Sequence, residues 1–311
     1  MPSRAPTPLT PLRRAGNRLV KLEALQPGGS HKARAARFIL RRAIEQGALT
    51  PFGTRRILEK SGGNLGVGLA YEAARHGIGV DLVIGLSFSR IKRALCIEYG
   101  ARMIGEDLLR QGFTPKEVIA RMLAEQPDTY CFTDQFSNEA NLQAHLEETG
   151  PELAAQIEAQ RAPGQPVILV KGAGTGASFQ GIATRLRENF ERVRCELVMP
   201  PDCDLAGERH WDHPLEGMAV GVRPPFLDAR LVDAIRVVDA EAAREGQRAM
   251  AREMGFFPGM SSGANYAAAC RVARGNPHAL IVTIAYDSGE SYLPRADMAP
   301  VAQPVMQEAV A

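Results

Sequence analysis

The chain has 311 residues, which is enough for about two domains of ordinary size. It is 45% hydrophobic and 23% charged, values that are typical of a soluble globular protein. The formal net charge of +2 gives no reason to expect binding to nucleic acid. No run of about 18 apolar residues occurs, so no membrane span is predicted.

The five cysteines are far apart in the sequence and form no CxxC pair. Their spacing does not match a metal site, so no metal is predicted, and it is typical of a reduced cytoplasmic protein. Segment 1–16 is rich in Pro and Arg and lacks an apolar core. No secretory signal peptide is therefore expected there, and the predicted location is cytoplasmic.

Strand-like and helix-like segments alternate along most of the chain. Apolar residues with a helical period predict a first helix at 32–46, which ends at Gly47. Asp239 is expected to cap a later helix. Strands that are separated by helices of about ten or more residues imply βαβ crossovers and largely parallel sheets. Further helices are predicted at 65–75, 90–99, 179–190 and 240–254, and strands at 56–59, 80–84, 167–170, 195–199, 235–238 and 280–284.

Four short loops lie at junctions between predicted strands and helices, where α/β proteins build ligand sites. In the first, Lys32 follows two glycines and opens a helix. The glycines allow the backbone to approach a flat ring, and the helix dipole lowers the pKa of the amine, as a Schiff-base lysine requires. A solvated lysine in a first helical turn is the alternative. The loops are 27–32 (PGGSHK), 61–66 (SGGNLG), 172–178 (GAGTGAS) and 259–264 (GMSSGA).

The loop at 172–178 has three glycines and two hydroxyl residues before a helix. Backbone N–H groups and the helix dipole at such a position favour a phosphate. The spacing matches neither a Walker loop nor a dinucleotide fingerprint. The loops at 61–66 and 259–264 are each compatible with simple helix capping.

Taken together and in order, the four loops resemble those of the cysteine synthase and cystathionine β-synthase family, pyridoxal-phosphate (PLP) enzymes of fold type II. The resemblance extends from about Val20 to Leu293. It includes His145, Asp228 and the segments 21–23 (KLE), 134–141 (DQFSNEAN), 216–218 (EGM) and 287–293 (DSGESYL).

The resemblance implies two three-layer α/β domains with mostly parallel sheets and pyridoxal 5'-phosphate in the cleft between them. The smaller domain is predicted at 38–137, and the larger one combines 1–37 with 138–311. A homodimer is also expected on this ground.

The resemblance further implies a role for each matching residue. Lys32 corresponds to the lysine that binds the cofactor covalently and then moves protons at Cα. Asn64 corresponds to the hydrogen-bond partner of the phenolic oxygen, and Ser261 to that of the pyridine nitrogen. A neutral hydroxyl at Ser261 favours elimination at Cβ over transamination. The implied phosphate cradle is Gly174, Thr175, Gly176, Ala177 and Ser178, and the implied substrate contacts are Ser61, Gly62, Gly63, Leu65 and Gln135.

The loop that binds the substrate carboxylate departs from the family pattern, which reads Thr/Ser-Ser-Gly-Asn-Thr-Gly. Gly62 and Leu65 remove two side-chain donors, each worth about 1.5–3 kcal/mol when it binds a charged group. Lys60 is either a compensating charge or a solvated lysine. Arg223 is either a contact for an anionic leaving group or a surface residue.

The predicted activity is β-replacement on an O-activated L-serine, of the O-acetylserine or O-phosphoserine type, through an aminoacrylate. The product is cysteine or a related β-substituted alanine, and the partners are the amino acid and a nucleophile. A β-eliminating lyase of the dehydratase or ammonia-lyase type is the second hypothesis. A binding protein that kept the fold without the activity is the third.

Overall fold

The computed structural model describes residues 10–85, 89–209 and 213–293. Residues 1–9 lie outside these ranges, and they belong to the segment 1–16 for which no signal peptide was expected. The end of the predicted larger domain, 294–311, also lies outside them. Within them, strands and helices alternate as the sequence predicts. The strands are β1 (Leu12–Ala15), β2 (Arg18–Leu22), β3 (Arg56–Glu59), β4 (Val80–Leu82), β5 (Arg102–Met103), β6 (Tyr130–Phe132), β7 (Val167–Gly172), β8 (Val193–Met199), β9 (Ala234–Val237) and β10 (Leu280–Ala285).

The helices connect these strands and cover both sheets. A π-helical turn at His145–Thr149 joins two of them, and short 3-10 turns lie at Glu23–Leu25, Ala229–Leu231 and Gly289–Tyr292. The α-helices are α1 (Lys32–Glu45), α2 (Asn64–Ala74), α3 (Arg90–Glu98), α4 (Glu106–Arg110), α5 (Pro115–Glu125), α6 (Glu139–Ala144), α7 (Gly150–Glu158), α8 (Ala177–Asn189), α9 (Ala240–Met254) and α10 (Met260–Gly275).

The larger sheet has six strands in the order β1-β2-β10-β7-β8-β9. Only the edge strand β1 is antiparallel to its neighbour. Every residue of the central strands β7 and β10 is buried, as expected for parallel strands with helices on both faces. The core around this sheet includes Leu169, Phe179 and Ile281.

The smaller sheet has four parallel strands in the order β5-β4-β3-β6. Helices α1, α2 and α6 pack around it and share one hydrophobic cluster, which includes Phe38, Ile57 and Leu82. This cluster also takes in Ala35 and Ala144, on either side of the predicted 38–137 domain. The division of the chain into two domains at those positions stays a prediction.

The fold class predicted from the sequence, α/β with mainly parallel sheets, is confirmed. Each predicted helix and strand is present with its ends at most two residues from the predicted ones, and Asp239 caps α9 by accepting from the Ala242 N–H at 2.8 Å. The helix predicted from Phe179 begins at Ala177. Among the described residues, no helix is both long and apolar enough to cross a membrane.

Candidate active site

The loops predicted to bind ligands meet because parallel strands place their carboxyl ends at one edge of each sheet. Gly62 follows β3 and Gln135 follows β6 in the smaller sheet, while Gly174 follows β7 and Asp287 follows β10 in the larger one. A cavity of about 340 Å³ lies where these loops converge, within the size range of small-molecule sites. The predicted residues that line it are Lys32, Ser61, Gly62, Gly63, Asn64, Leu65, Gln135, Gly174, Thr175, Gly176, Ser178 and Ser261.

Lys32 is the first residue of α1 and presents its amine to the cavity. Its Nζ donates a hydrogen bond to Gln135 Oε1 at 3.0 Å. Removal of this side chain from water lowers its pKa to about 8, and the nearby Glu59 carboxylate only partly opposes the shift. The direction agrees with the sequence prediction, but the main cause is desolvation, whereas the prediction assigned it to the helix dipole.

The loop before α8 is shaped by close backbone approaches that only glycine permits. A Cβ on Gly174 would lie 2.3 Å from the carbonyl oxygen of Gly217, and Gly176 has a φ of +87°. The amino end of α8 therefore lies at the cavity, and the first N–H groups of a helix have no partner within the helix. Ala177 is the first residue of α8, but its buried side chain is not part of the cavity wall.

Asn141, on α6, links the predicted phosphate cradle to the predicted substrate contact Gln135. Its Nδ2 donates to the backbone oxygen of Gln135 at 2.8 Å and to Thr175 Oγ1 at 3.2 Å. These two hydrogen bonds fix Gln135 and Thr175 relative to each other. Asn141 is buried, so the amide is protected from competition by water.

The loop at 61–66 keeps one side-chain donor for a carboxylate. Ser61 Oγ accepts a hydrogen bond from the Gly66 N–H at 3.3 Å, which leaves the hydroxyl proton of Ser61 to donate elsewhere. Leu65 packs into the hydrophobic cluster of the smaller sheet and offers no donor. Gly62 and Gly63 also line the cavity.

Asn64 takes part in a polar cluster that the sequence did not predict. Its Nδ2 donates to Asp287 Oδ2 at 2.8 Å, and Lys92 Nζ lies 3.2 Å from the same oxygen. Tyr292 also donates its hydroxyl proton to this oxygen. Asp287 and Tyr292 were noted only as part of a family motif, and Lys92, which lies 195 residues from Asp287, carried no signal in the sequence.

Two basic residues considered from the sequence have different surroundings. Lys60 is exposed at the cavity wall, and its Nζ lies 5.9 Å from the centre of the Phe136 ring. Arg223 is exposed and is not part of the cavity wall. The cavity wall therefore offers a cation at Lys60 but gives no support for a leaving-group contact at Arg223.

Ser261 occupies the first turn of α10, and its side chain is 7% exposed. The rings of His31 and Tyr286 also line the cavity, with their centres 4.7 Å apart. Desolvation lowers the pKa of His31 well below its usual value, so the imidazole is neutral at physiological pH. His31 had no individual signal in the sequence beyond its place next to Lys32.

These features fit a cofactor that has both an aldehyde and a phosphate. A desolvated primary amine faces the cavity, and a Cβ on Gly174 would obstruct the loop predicted to form the phosphate cradle. Together with the two parallel sheets, this arrangement defines an α/β enzyme of PLP fold type II.

Comparison with known proteins assigns the family. Residues 1–287 match the model of the pyridoxal-phosphate dependent enzyme family. The cysteine synthase of Haemophilus influenzae is 32% identical over 306 residues, which cover 93% of this chain and 94% of that protein. A probable cysteine synthase of Bacillus subtilis is 36% identical over 299 residues, covering 92% and 93%.

Solved structures agree with this assignment. An O-ureido-L-serine synthase superposes with a TM-score of 0.80 at 30% identity, covering 93% of this chain and 91% of the other. An O-acetylserine dependent cystathionine β-synthase from Helicobacter pylori gives 0.78 at 28% identity, covering 92% and 94%. The chain belongs to the family of pyridoxal-phosphate dependent enzymes, and its cofactor is pyridoxal 5'-phosphate. The resemblance stated from the sequence is thus confirmed, while the role of each site residue stays a prediction.

Proposed function

We propose that this protein catalyses β-replacement on an O-activated L-serine, with O-acetylserine as the first substrate to test. The observation that carries the proposal is the hydrogen bond from the Lys32 amine to Gln135. Both residues line the same cavity as the predicted phosphate cradle. Relatives named cysteine synthase match more than nine-tenths of the chain. The reaction exchanges the β-substituent of the amino acid for a nucleophile.

PLP, when bound, stabilises negative charge at Cα of the amino acid. Lys32 is then the base that takes the Cα proton and later returns it. Its lowered pKa, about 8, makes a useful fraction of neutral amine available near physiological pH. Gln135 orients this amine, because its side-chain oxygen is the acceptor for Nζ.

The substrate carboxylate is held by fewer hydroxyl groups than in the family pattern. Ser61 supplies one hydroxyl, and the backbone of Gly62 and Gly63 supplies N–H groups. Lys60 supplies positive charge at the same side of the cavity. A charge on a flexible, exposed side chain replaces part of the directional binding that two hydroxyl groups would give.

A β-eliminating lyase would use the same residues, but its products would be a keto acid and ammonia. The curated relatives and the structural neighbours described above are synthases, so replacement is favoured over elimination alone. The third hypothesis, a binding protein without activity, is disfavoured by the desolvated amine of Lys32.

The proposal is tested by incubating the purified holoenzyme with O-acetylserine, with and without sulfide. We expect cysteine when sulfide is present and little pyruvate when it is absent. O-Phosphoserine in a parallel reaction identifies the preferred leaving group, and Lys32→Ala is the inactive control. Pyruvate and ammonia formed at the same rate with and without sulfide would instead establish the lyase.

A homodimer and a cytoplasmic location are also proposed. Both are supported by the resemblance to the synthases. The oligomeric state is measured by sedimentation equilibrium of the holoenzyme, for which we expect twice the 33.6 kDa mass of the chain.

A further inference from the structure

Lys171 is a buried lysine directly behind the phosphate cradle. It lies in β7, one residue before the glycine loop, and its side chain is 0% exposed. Its Nζ donates to Ser178 Oγ at 2.8 Å and to the Gly172 carbonyl oxygen at 3.1 Å. Ser178 lines the cavity and Lys171 does not, so the ammonium group lies one hydrogen bond behind the cavity wall.

The other described groups around Lys171 supply no negative charge. The centres of the Phe179 and Tyr286 rings are 5.6 and 5.4 Å from Nζ. Two other buried lysines in the chain have carboxylates, since Lys21 lies 2.5 Å from Glu152 and Lys92 lies 3.2 Å from Asp287. Among the ion pairs of the described residues, none includes Lys171.

A buried ammonium group without an anion is unfavourable. Desolvation, together with the charge of Lys32, lowers the pKa of Lys171 to about 7. His31 and His145 also face this region, and desolvation lowers the pKa of each well below its usual value. Desolvation raises the pKa of Tyr286, so this phenol is uncharged as well. The described protein groups around Lys171 therefore leave its charge without a counterion.

We propose that Lys171 is a positioning residue for the cofactor phosphate, which acts through the hydroxyl of Ser178. Because Ser178 Oγ accepts from Lys171, the hydroxyl proton of Ser178 is free to donate to a phosphate oxygen. The phosphate dianion in turn supplies the counterion that the ammonium group lacks. The amino end of α8 adds to the same attraction. This inference rests on PLP as the cofactor and is independent of the reaction that follows.

The test compares PLP with pyridoxal, which has the same ring and aldehyde but no phosphate. Both are titrated into the full-length protein after the cofactor has been removed, and binding is followed by visible absorbance. For Lys171→Met we expect the Kd of PLP to rise about tenfold or more, since a charge-assisted interaction is lost. The Kd of pyridoxal should stay within about twofold of the wild-type value.

Three further variants sharpen the test. Lys116→Met removes a positive charge from an exposed position outside the cavity wall and should leave both affinities unchanged. Ser178→Ala should weaken PLP binding, and combining it with Lys171→Met should add little, because the two residues act in series. Lys171→Gln keeps a donor for Ser178 but no charge, and it serves if the methionine variant does not fold.

A second readout uses the holoenzyme itself. The 31P chemical shift of the bound cofactor, followed against pH, reports the ionisation of its phosphate. We expect its titration to move to higher pH in Lys171→Met, because the stabilising cation is gone.

An equal loss of affinity for PLP and pyridoxal would assign Lys171 a general structural role and overturn the inference. Unchanged PLP affinity in both Lys171 variants would overturn it as well. A wild-type protein that binds neither compound would contradict the cofactor itself, which is a separate failure.

Discussion

The side-chain oxygen of Gln135 accepts a hydrogen bond from Nζ of Lys32 at 3.0 Å. This contact joins the loop after β6, in the smaller sheet, to the first residue of α1. Asn141 fixes the backbone of Gln135 from the other side at 2.8 Å. The acceptor of the Lys32 amine is therefore held in place by a buried amide.

Gln135→Ala removes the acceptor for Lys32 and a predicted substrate contact. One hydrogen bond to a charged group contributes about 1.5–3 kcal/mol, so kcat/KM for the amino acid should fall by about tenfold or more. Steady-state kinetics measure this. Gln126→Ala, at an exposed position at the end of α5, is the matched control and should behave as wild type. Equal kinetics for the two variants would contradict the predicted role of Gln135.

Lys32→Ala removes the amine that is predicted to bind PLP covalently and move the Cα proton. We expect turnover to fall by about a thousandfold or more. Borohydride reduction followed by mass spectrometry should show the cofactor attached at Lys32 in the wild type. Attachment at another lysine in the wild type would show that the assignment is wrong.

The lowered pKa of Lys32 predicts how cofactor attachment depends on pH. Only the neutral amine reacts with an aldehyde, so the initial rate of PLP attachment to the cofactor-free protein should rise with pH. The midpoint should lie near 8, the value that desolvation gives this lysine. Initial rates from pH 6 to 10 provide the measurement. A midpoint near 10.5, the ordinary lysine value, would show that Lys32 is not desolvated.

Gly174→Ala places a methyl group 2.3 Å from the backbone oxygen of Gly217. The loop must shift to relieve this contact, at a cost of about 1–3 kcal/mol. We expect weaker PLP binding by spectroscopic titration and a lower melting temperature. Gly275→Ala is the control, because a Cβ there meets nothing within 4 Å. If both variants bound PLP equally well, the close approach of Gly174 to Gly217 would not be required for PLP binding.

Asp287→Ala leaves Lys92 buried without its carboxylate partner, 3.2 Å away in the wild type. Breaking such a buried pair destabilises a protein by about 3–5 kcal/mol. The free energy of unfolding in urea measures the effect. Glu125→Ala breaks an exposed pair with Arg121 and should change the free energy of unfolding by less than about 1 kcal/mol. If the two variants lowered the free energy of unfolding by similar amounts, the pair of Lys92 and Asp287 would behave as a solvated surface pair.

The raised pKa of Glu59 predicts that the folded protein loses stability as the pH rises. Burial raises its pKa to about 7, although Thr133 Oγ1 donates to it at 2.6 Å. Between the ordinary pKa of 4.5 and about 7, the folded protein holds a proton that the unfolded chain releases. The free energy of unfolding therefore falls across this interval, by at most about 3 kcal/mol. Glu59→Gln should lack this decrease, and parallel urea stability curves for the two proteins between pH 5 and 8 would contradict it.

Local patterns in the sequence were enough to predict many of the helices and strands and the chemistry of the four loops. Helical periodicity, runs of buried β-type residues and glycine stops are local signals, so α1, β7 and α9 were predicted within two residues. Strands β1, β2, β5 and β6 and helices α4 to α7 were not predicted. Strands β5 and β6 have only two and three residues, too few to show alternation. The order of the four loops was enough for the family and for PLP.

Which side chains share an environment depends on the packing of distant segments. Lys92 and Asp287 are 195 residues apart, and Lys32 and Gln135 are 103 apart, so no local pattern could pair them. The structure also showed that burial of Lys32 lowers the pKa of its amine, which depends on neighbours from distant parts of the chain. Lys171 is part of an ordinary strand pattern in the sequence. The packing around β7 shows that its charge is buried with no carboxylate from the described part of the chain beside it, since desolvation depends on neighbours from distant parts of the chain.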